Sequence, residues 1–195
     1  YALRLSEAAW AALKTETPKT LSNTETHITG SVRELCAAAA GACRELGYEP
    51  QVLTDCLDCE AREAGRFLAS IARSHQNAGR SIAFIAGGET VVHITGRGRG
   101  GRNQELALAA ADGIAGLEDT AVFSVGSDGT DGPTDAAGGY ADGGSLAVLR
   151  ALGFDTYDVL RRNDSYTALK AVDSLIFTGA TGTNVNDVAV ILIKR

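Results

Sequence analysis

The sequence of 195 residues has no methionine, three prolines and one tryptophan. Without a methionine, Tyr1 is not expected to be the natural start of the protein. No apolar run reaches the roughly 18 residues that a membrane-spanning helix needs, because Glu, Lys, Asp or Gly interrupts each of them; this argues against a membrane role. Residues Tyr1 to Trp10 lack the basic start, apolar middle and small-residue cleavage site of a secretory leader. A G-x-x-x-x-G-K-[ST] loop is also missing, and with it the lysine-bearing phosphate cradle that such a loop builds. Positive charge is in the minority: the net charge is −6, with the acidic residues spread along the chain, which argues against a nucleic-acid binder. Cysteines are few. The four lie between Cys36 and Cys59, and Cys56-x-x-Cys59 has no histidine near enough to complete a zinc set. Reduced thiols in a cytoplasm are the expectation, with Cys36 and Cys43 two helical turns apart as small apolar residues on a buried face.

What is present is a hydrophobic content of 45% and 23 glycines. The first allows one good core, or one full domain and part of another. The second exceeds what helices and strands require and points to tight loops approaching a ligand. A short helix is expected over Ser6–Lys14, followed by a polar connector. A strand over His27–Thr29 then leads to a helix over Val32–Leu46 that Gly47 ends. A second strand, Gln51–Leu53, leads to a helix over Cys59–Ser74 with Ala64, Phe67, Leu68 and Ile71 as its apolar stripe. Strand, helix, strand, helix is the order of parallel βαβ units, read here as the edge of a larger Rossmann-like sheet. The polar break at Ser74–Gly79 sets the expected domains at 1–78 and 79–195. Beyond it, Ile82–Ala86 and Val91–Thr95 are expected to pair as a hairpin through a Gly87-Gly88-Glu89-Thr90 turn. Helices over Asn103–Ile114, Ser145–Leu152 and Tyr166–Val172 and strands over Ala121–Val125, Leu175–Phe177 and Val188–Ile193 complete the reading, an α/β fold.

The loops between these elements hold the candidate chemistry. Gly96-Arg97-Gly98-Arg99-Gly100-Gly101-Arg102 matches the spacing of the dinucleotide fingerprint, but a strand used in an antiparallel hairpin is the wrong context for it. The loop is better suited to bringing guanidinium groups to a polyanion in front of a helix N-terminus, a solvated turn capped by Asn103 being the alternative. Ser127 to Asp135 follows a strand at the end where α/β proteins bind ligands. Its Asp128, Asp131 and Asp135, set among glycines and hydroxyls such as Thr130, suit Mg²⁺ or a substrate hydroxyl; local turn hydrogen bonds account for at least one of them. Thr178 to Asp187 has little to bury and reads as an anion-binding nest. Asn163-Asp164-Ser165-Tyr166 sits where an N-cap is expected.

In order and spacing, Gly87-Gly88-Glu89-Thr90, Gly100 to Glu105, Ser127 to Asp135, Asn163 to Tyr166 and Thr178 to Asp187 resemble the MOFRL domain of class II glycerate kinases. The resemblance covers about residues 81–193. Residues 27–74, including Glu60-Ala61-Arg62-Glu63, are similar to the later part of that family's N-terminal domain. Ala180 stands where the family usually has proline, and Cys59 where glycine is commoner.

The resemblance implies ATP-dependent, Mg²⁺-assisted phosphorylation of D-glycerate to 2-phosphoglycerate in a cleft between two α/β domains. Arg102, with Asp128 and Asp131, would then be catalytic, the two aspartates holding the metal. Gly87, Gly88, Glu89, Arg99, Asn103, Glu105, Thr130, Asp135, Asn163, Asp164, Thr181, Thr183, Asn184 and Asp187 would bind substrate or nucleotide. The partners expected are D-glycerate, ATP and an N-terminal domain of the same protein, without which the chain should be inactive; a homodimer is left open. An NAD(P)H-dependent hydroxypyruvate reductase and a non-catalytic binding module are the alternatives.

Overall fold

The computed structural model describes residues 5–25, 27 and 30–195. Helix α1 (Glu7–Leu13) is capped by Ser6, whose hydroxyl accepts from the Ala9 N–H, and it buries none of its residues. An irregular, mostly exposed connector follows. The strand expected over His27–Thr29 falls on residues 28 and 29, outside the described residues.

From residue 32 onward the elements belong to one sheet and its covering helices. Their order is α2 (Val32–Glu45), β1 (Glu49–Leu57), α3 (Ala61–Ser74), β2 (Ile82–Gly88), α4 (Arg102–Ile114), β3 (Thr120–Gly126), β4 (Gly138–Asp142), α5 (Ser145–Ala151), α6 (Thr156–Arg161), α7 (Ser165–Ala171), β5 (Leu175–Ile176) and β6 (Asp187–Ile193). The six strands lie in the order β1-β2-β6-β3-β4-β5. The pair β1–β2 is parallel, joined by α3 as the expected βαβ unit, and every other pairing is antiparallel. Helix α2 ends on Gly47 at φ 84°, as the sequence implies.

Three differences from expectation have physical causes. Val91–Thr95 does not return as a hairpin. β2 instead continues through Gly88, flanked by β1 and by β6 from the far end of the chain, and Val91 makes only an isolated bridge to Glu60. A fully apolar strand satisfies its N–H and C=O groups on both sides only between two strands. Secondly, β1 is the edge of this same sheet, and β1 and α3 share core and sheet with residues 82–193, so the expected division at 78/79 falls inside one packed unit. Thirdly, α3 buries Ala61, Ala64, Gly65, Leu68, Ala69 and Ala72, while Phe67 is 60% exposed. A Cβ on Gly65 would collide with the Leu106 carbonyl; the small residues let α3 and α4 approach closely, and that contact outweighs burial of the larger ring.

Helices α3 and α4 cover one sheet face, around Leu68, Phe84, Leu106, Ile114 and Ile191. Helix α2 covers the other over β1, β2 and β6, through Cys36, Ala40, Cys43, Ile85 and Val190. The thiols of Cys36 and Cys43 are buried as expected, and burial raises their pKa. Helices α5–α7 pack outside α4, around Leu108, Leu149, Leu160 and Leu169. Among the described residues no helix is long and apolar enough to cross a membrane, and no group of three or more His, Cys, Asp or Glu side chains is placed to hold a metal.

Candidate functional site

The strand directions gather the loops singled out in the sequence at one end of the sheet. β1, β2, β3 and β5 run one way and β4 and β6 the other, so the loops after Gly88, Gly126 and Ile176 and the start of β6 share that end. There, a cavity of about 650 Å³ is lined on its polar side by Glu89, Thr90, Arg102, Glu105, Asn163 and Ser165. Val91, Val92, Ile94 and Pro133 supply an apolar side.

Arg102 opens α4 and projects to this wall. Its Nε donates to Asp187 Oδ2 at 2.5 Å, its Nη2 to Asp187 Oδ1 at 3.1 Å and its Nη1 to Glu89 Oε1 at 2.8 Å. The Asp187 hydrogen bond raises the arginine's pKa most, burial opposing it. Asp187 begins β6 between Gly88 and Gly126, so the sheet itself fixes the carboxylate that orients the guanidinium.

The cluster next to it was only partly legible. Glu105, buried on α4, accepts from Arg62 Nε at 3.0 Å and from Asn163 Nδ2 at 3.3 Å. Burial is the main reason its pKa is raised, with Arg62 acting against it. Arg62 also pairs with Glu60 at 2.8 Å, and Glu60 with His93 at 3.4 Å. Arg62 lies inside the Glu60–Glu63 run, but nothing local in the sequence ties it to a residue on another helix. Asn163, at φ 54°, takes the N–H groups of Thr95 and Gly96 on its side-chain oxygen and donates to the His93 carbonyl. It therefore fastens the glycine-arginine loop to the turn before α7.

That loop differs from the expected ligand cradle. A Cβ on Gly96 would strike the Arg162 backbone, on Gly98 Asp164, on Gly100 the Ser165 hydroxyl and on Gly101 the Asp131 carboxyl group. These glycines admit close protein neighbours rather than a ligand. Gly87 and Gly88 are likewise buried, the first beneath Cys36 and Val32 of α2 and the second against Leu57 of β1. Arg99 is held beside the cavity wall: its Nε donates to the Pro133 carbonyl at 3.4 Å, and its guanidinium lies 4.1 Å from the centroid of the Tyr166 ring and 3.5 Å from Asp135. Asp135 accepts from the Tyr166 hydroxyl at 2.7 Å, which leads the lowering of its pKa. Asp164 accepts from the Arg99 N–H and the Thr167 hydroxyl.

The three aspartates of the acidic loop have separate places. Asp131 is 3% exposed and occupies the N-terminus of α4, accepting from the N–H groups of Asn103 and Gln104 at 3.1 and 2.9 Å and from Asn103 Nδ2 at 3.2 Å. Its carboxylate fills the position that the sequence reading offered to a phosphate, and both oxygens are engaged. Burial nevertheless pushes its pKa up to about 6 against these donors. Asn103 spans from Asp131 to the Ser124 hydroxyl of β3 and is itself buried. Asp128 is half-buried. One oxygen accepts from the Thr130 N–H and hydroxyl at 2.9 and 3.1 Å, and the other lies 3.5 Å from Asn184 Nδ2. Asp128 Oδ1 and Asp187 Oδ1 both face Gly126, where a Cβ would lie 3.2 and 3.4 Å from them.

The Thr178–Asn186 loop folds onto this acidic loop. Thr181 N–H donates to the Asp128 carbonyl, Val185 N–H to Ser127 Oγ and Thr183 N–H to Thr181 Oγ1. These three N–H groups, expected to take part in an anion nest, are thus committed to protein partners. Thr181, Thr183 and Asn184 stand exposed on the rim beyond Asp128. The expected site is therefore divided: Glu89, Arg102, Glu105 and Asn163 around the cavity, Asp128, Thr130 and the 181–184 rim beside it, and Asp187 between them.

The chain is 51% identical over 197 residues to the D-glycerate 2-kinase of Thermotoga maritima, a match that takes in 99% of this chain and 47% of that protein. It is 44% identical over 163 residues to the glycerate 2-kinase of Pyrococcus horikoshii, across 81% of this chain and 37% of that one. The crystal structure of a glycerate kinase from Thermotoga maritima superposes with a TM-score of 0.89 at 51% identity, covering 98% of this chain and 47% of that chain. The chain thus spans about half the length, or less, of these curated relatives. The MOFRL family model matches residues 82–187, the stretch from β2 to the first residue of β6 that carries the cavity wall, the acidic loop and the rim. By that match the chain belongs to the MOFRL family.

Proposed function

We propose that this chain is the C-terminal part of an ATP-dependent D-glycerate 2-kinase. The observation that carries the reading is Arg102, oriented by Asp187 on the wall of a cavity at the strand ends, beside the half-buried carboxylate of Asp128. Phosphoryl transfer asks a protein chiefly to align oxygens and neutralise charge, and a fixed guanidinium beside an acidic loop supplies both.

Mg²⁺ typically takes one or two carboxylates together with substrate phosphates and water. Asp128 fits that role, since its second oxygen has only the long contact to Asn184. Asp131 does not, because both its oxygens cap α4. A bound Mg²⁺ would supply charge neutralisation on the transferring phosphoryl group. Arg102 binds a phosphate or carboxylate of the substrates, Asp187 holds it in plane, and the Glu105–Asn163 pair keeps the cavity wall in register with α7. Asp135, Asp164 and Arg99 act by bracing that wall. Thr181, Thr183 and Asn184 bound the substrate side.

A nicotinamide-dependent reductase is less well supported, because the Gly96–Gly101 segment follows no paired strand and its glycines are closed off by α6, α7 and Asp131. The four free thiols favour the cytoplasm as the compartment. The isolated chain should form no product, since the second wall of the cleft, with any lysine that neutralises the phosphoryl group, would come from the other half of the protein. The test is formation of 2-phosphoglycerate from ATP and D-glycerate by the full-length protein, with residues 1–195 assayed alone and after addition of the other half. No turnover by the full-length protein defeats the kinase reading; turnover by the isolated chain defeats its dependence on another domain.

A further inference from the structure

Among the described residues Arg102 is the sole cation lining the cavity, and it already carries two carboxylates. The two differ in kind. The Asp187 side chain is 9% exposed, stands at the start of a central strand and meets the guanidinium with both oxygens. Glu89 follows β2 directly, with its backbone N–H tied to the Leu57 carbonyl at 2.8 Å. Its side chain is 55% exposed and touches the guanidinium through a single oxygen, at Nη1. One partner is built into the sheet, and the other can turn into solvent at little cost, as half-exposed ion pairs generally can.

We propose that Glu89 is a further positioning residue for the proposed reaction: its carboxylate holds the place on Arg102 that a phosphoryl group of the substrate takes, and it leaves that place when the phosphoryl group binds. The inference rests on the reading of Arg102 as the anion-binding residue. A free carboxylate that displaces Glu89 exchanges one single charge for another in similar geometry. The tethered competitor weakens every displacing anion by the same factor, so only an anion that binds Arg102 strongly on its own takes the place. A phosphoryl dianion brings about twice the charge and three acceptor oxygens, enough to reach the N–H groups that Asp187 and Glu89 leave unused. Arg102 therefore serves the phosphoryl group, and the glycerate carboxylate must be held elsewhere in the cleft.

The test is calorimetric titration of inorganic phosphate, above its second pKa, and separately of D-glycerate, into the full-length protein and its Glu89→Gln variant. Thermal unfolding checks that the variant is folded. The amide keeps the shape and removes the charge, so phosphate should bind about tenfold tighter, as expected for release of one charge-assisted competitor. D-glycerate, whose carboxylate is held elsewhere, should bind the variant as it binds the parent. Equal gains for the two anions, or an unchanged or weaker affinity for phosphate, overturn the proposal. Failure of the kinase reading would show separately, as absence of 2-phosphoglycerate formation whatever the variant does to phosphate.

Discussion

The pH dependence of stability should reveal the role of Asp131. Its carboxylate sits on the N-terminus of α4 with three N–H donors and no room beside Gly101 for even a methyl group. Two effects compete there: the donors and the helix end favour the charged form, while burial favours the neutral one. Burial wins, moving the pKa from 3.8 to about 6. Because the folded value lies above the unfolded one, the group's contribution is fully present below about pH 3.8 and is lost as pH rises through about 6. A shift of about two units corresponds to about 3 kcal/mol. Asp131→Asn does not titrate. It should lose a roughly constant 1–3 kcal/mol because one backbone N–H then faces an amide instead of an oxygen. Denaturant unfolding of parent and variant from pH 4 to pH 7 cancels the other titrating groups in the difference. That difference should move in favour of the variant by about 2–2.5 kcal/mol across the range. A difference that stays flat would mean that Asp131 remains charged throughout and that the helix end outweighs its burial, contrary to the argument.

Asp128→Asn in the full-length protein should lower kcat at least about tenfold while leaving the melting temperature nearly unchanged, since the amide oxygen still accepts from Thr130 but no longer holds a hard cation; near-parent turnover at saturating Mg²⁺ would contradict this. Arg102→Ala should weaken phosphate binding by 1.5–3 kcal/mol, about ten- to a hundredfold. Arg99→Ala, which removes a cation committed to Tyr166, Asp135 and the Pro133 carbonyl, should leave binding near the parent value, and equal losses in the two isotherms would show that both arginines reach the ligand. Gly65→Ala should destabilise the fold by about 1–3 kcal/mol by pushing α3 from the Leu106 carbonyl, and an unchanged denaturation midpoint would refute the close helix contact.

Elements whose signals are local were legible in the sequence. The 3.6-residue periodicity and end signals of α2, α3 and α4 predicted each to within a few residues, and the apolar runs of β2, β3 and β6 announced buried strands. The gathering of the polar, glycine-rich loops at one end of the sheet was legible too, because such loops after strands have little else to bury. Sheet order was not. β6 separates β2 from β3, and no local feature of Val188–Ile193 names its neighbours, whereas nearness along the chain suggested a hairpin for Val91–Thr95. β4, written Gly-Gly-Tyr-Ala-Asp, has weak strand propensity and is held by β3 and β5, an instance of pairing overriding preference. The aspartates show the same limit within a single loop. Composition placed Asp128, Asp131 and Asp135 together as acidic ligands, but their roles depend on what the rest of the chain brings to each. For Asp131 this is the start of α4, for Asp135 the Tyr166 hydroxyl, and for Asp128 a rim that leaves one oxygen nearly free. A carboxylate's chemistry depends on its burial and its donors, and those are fixed only when distant segments meet.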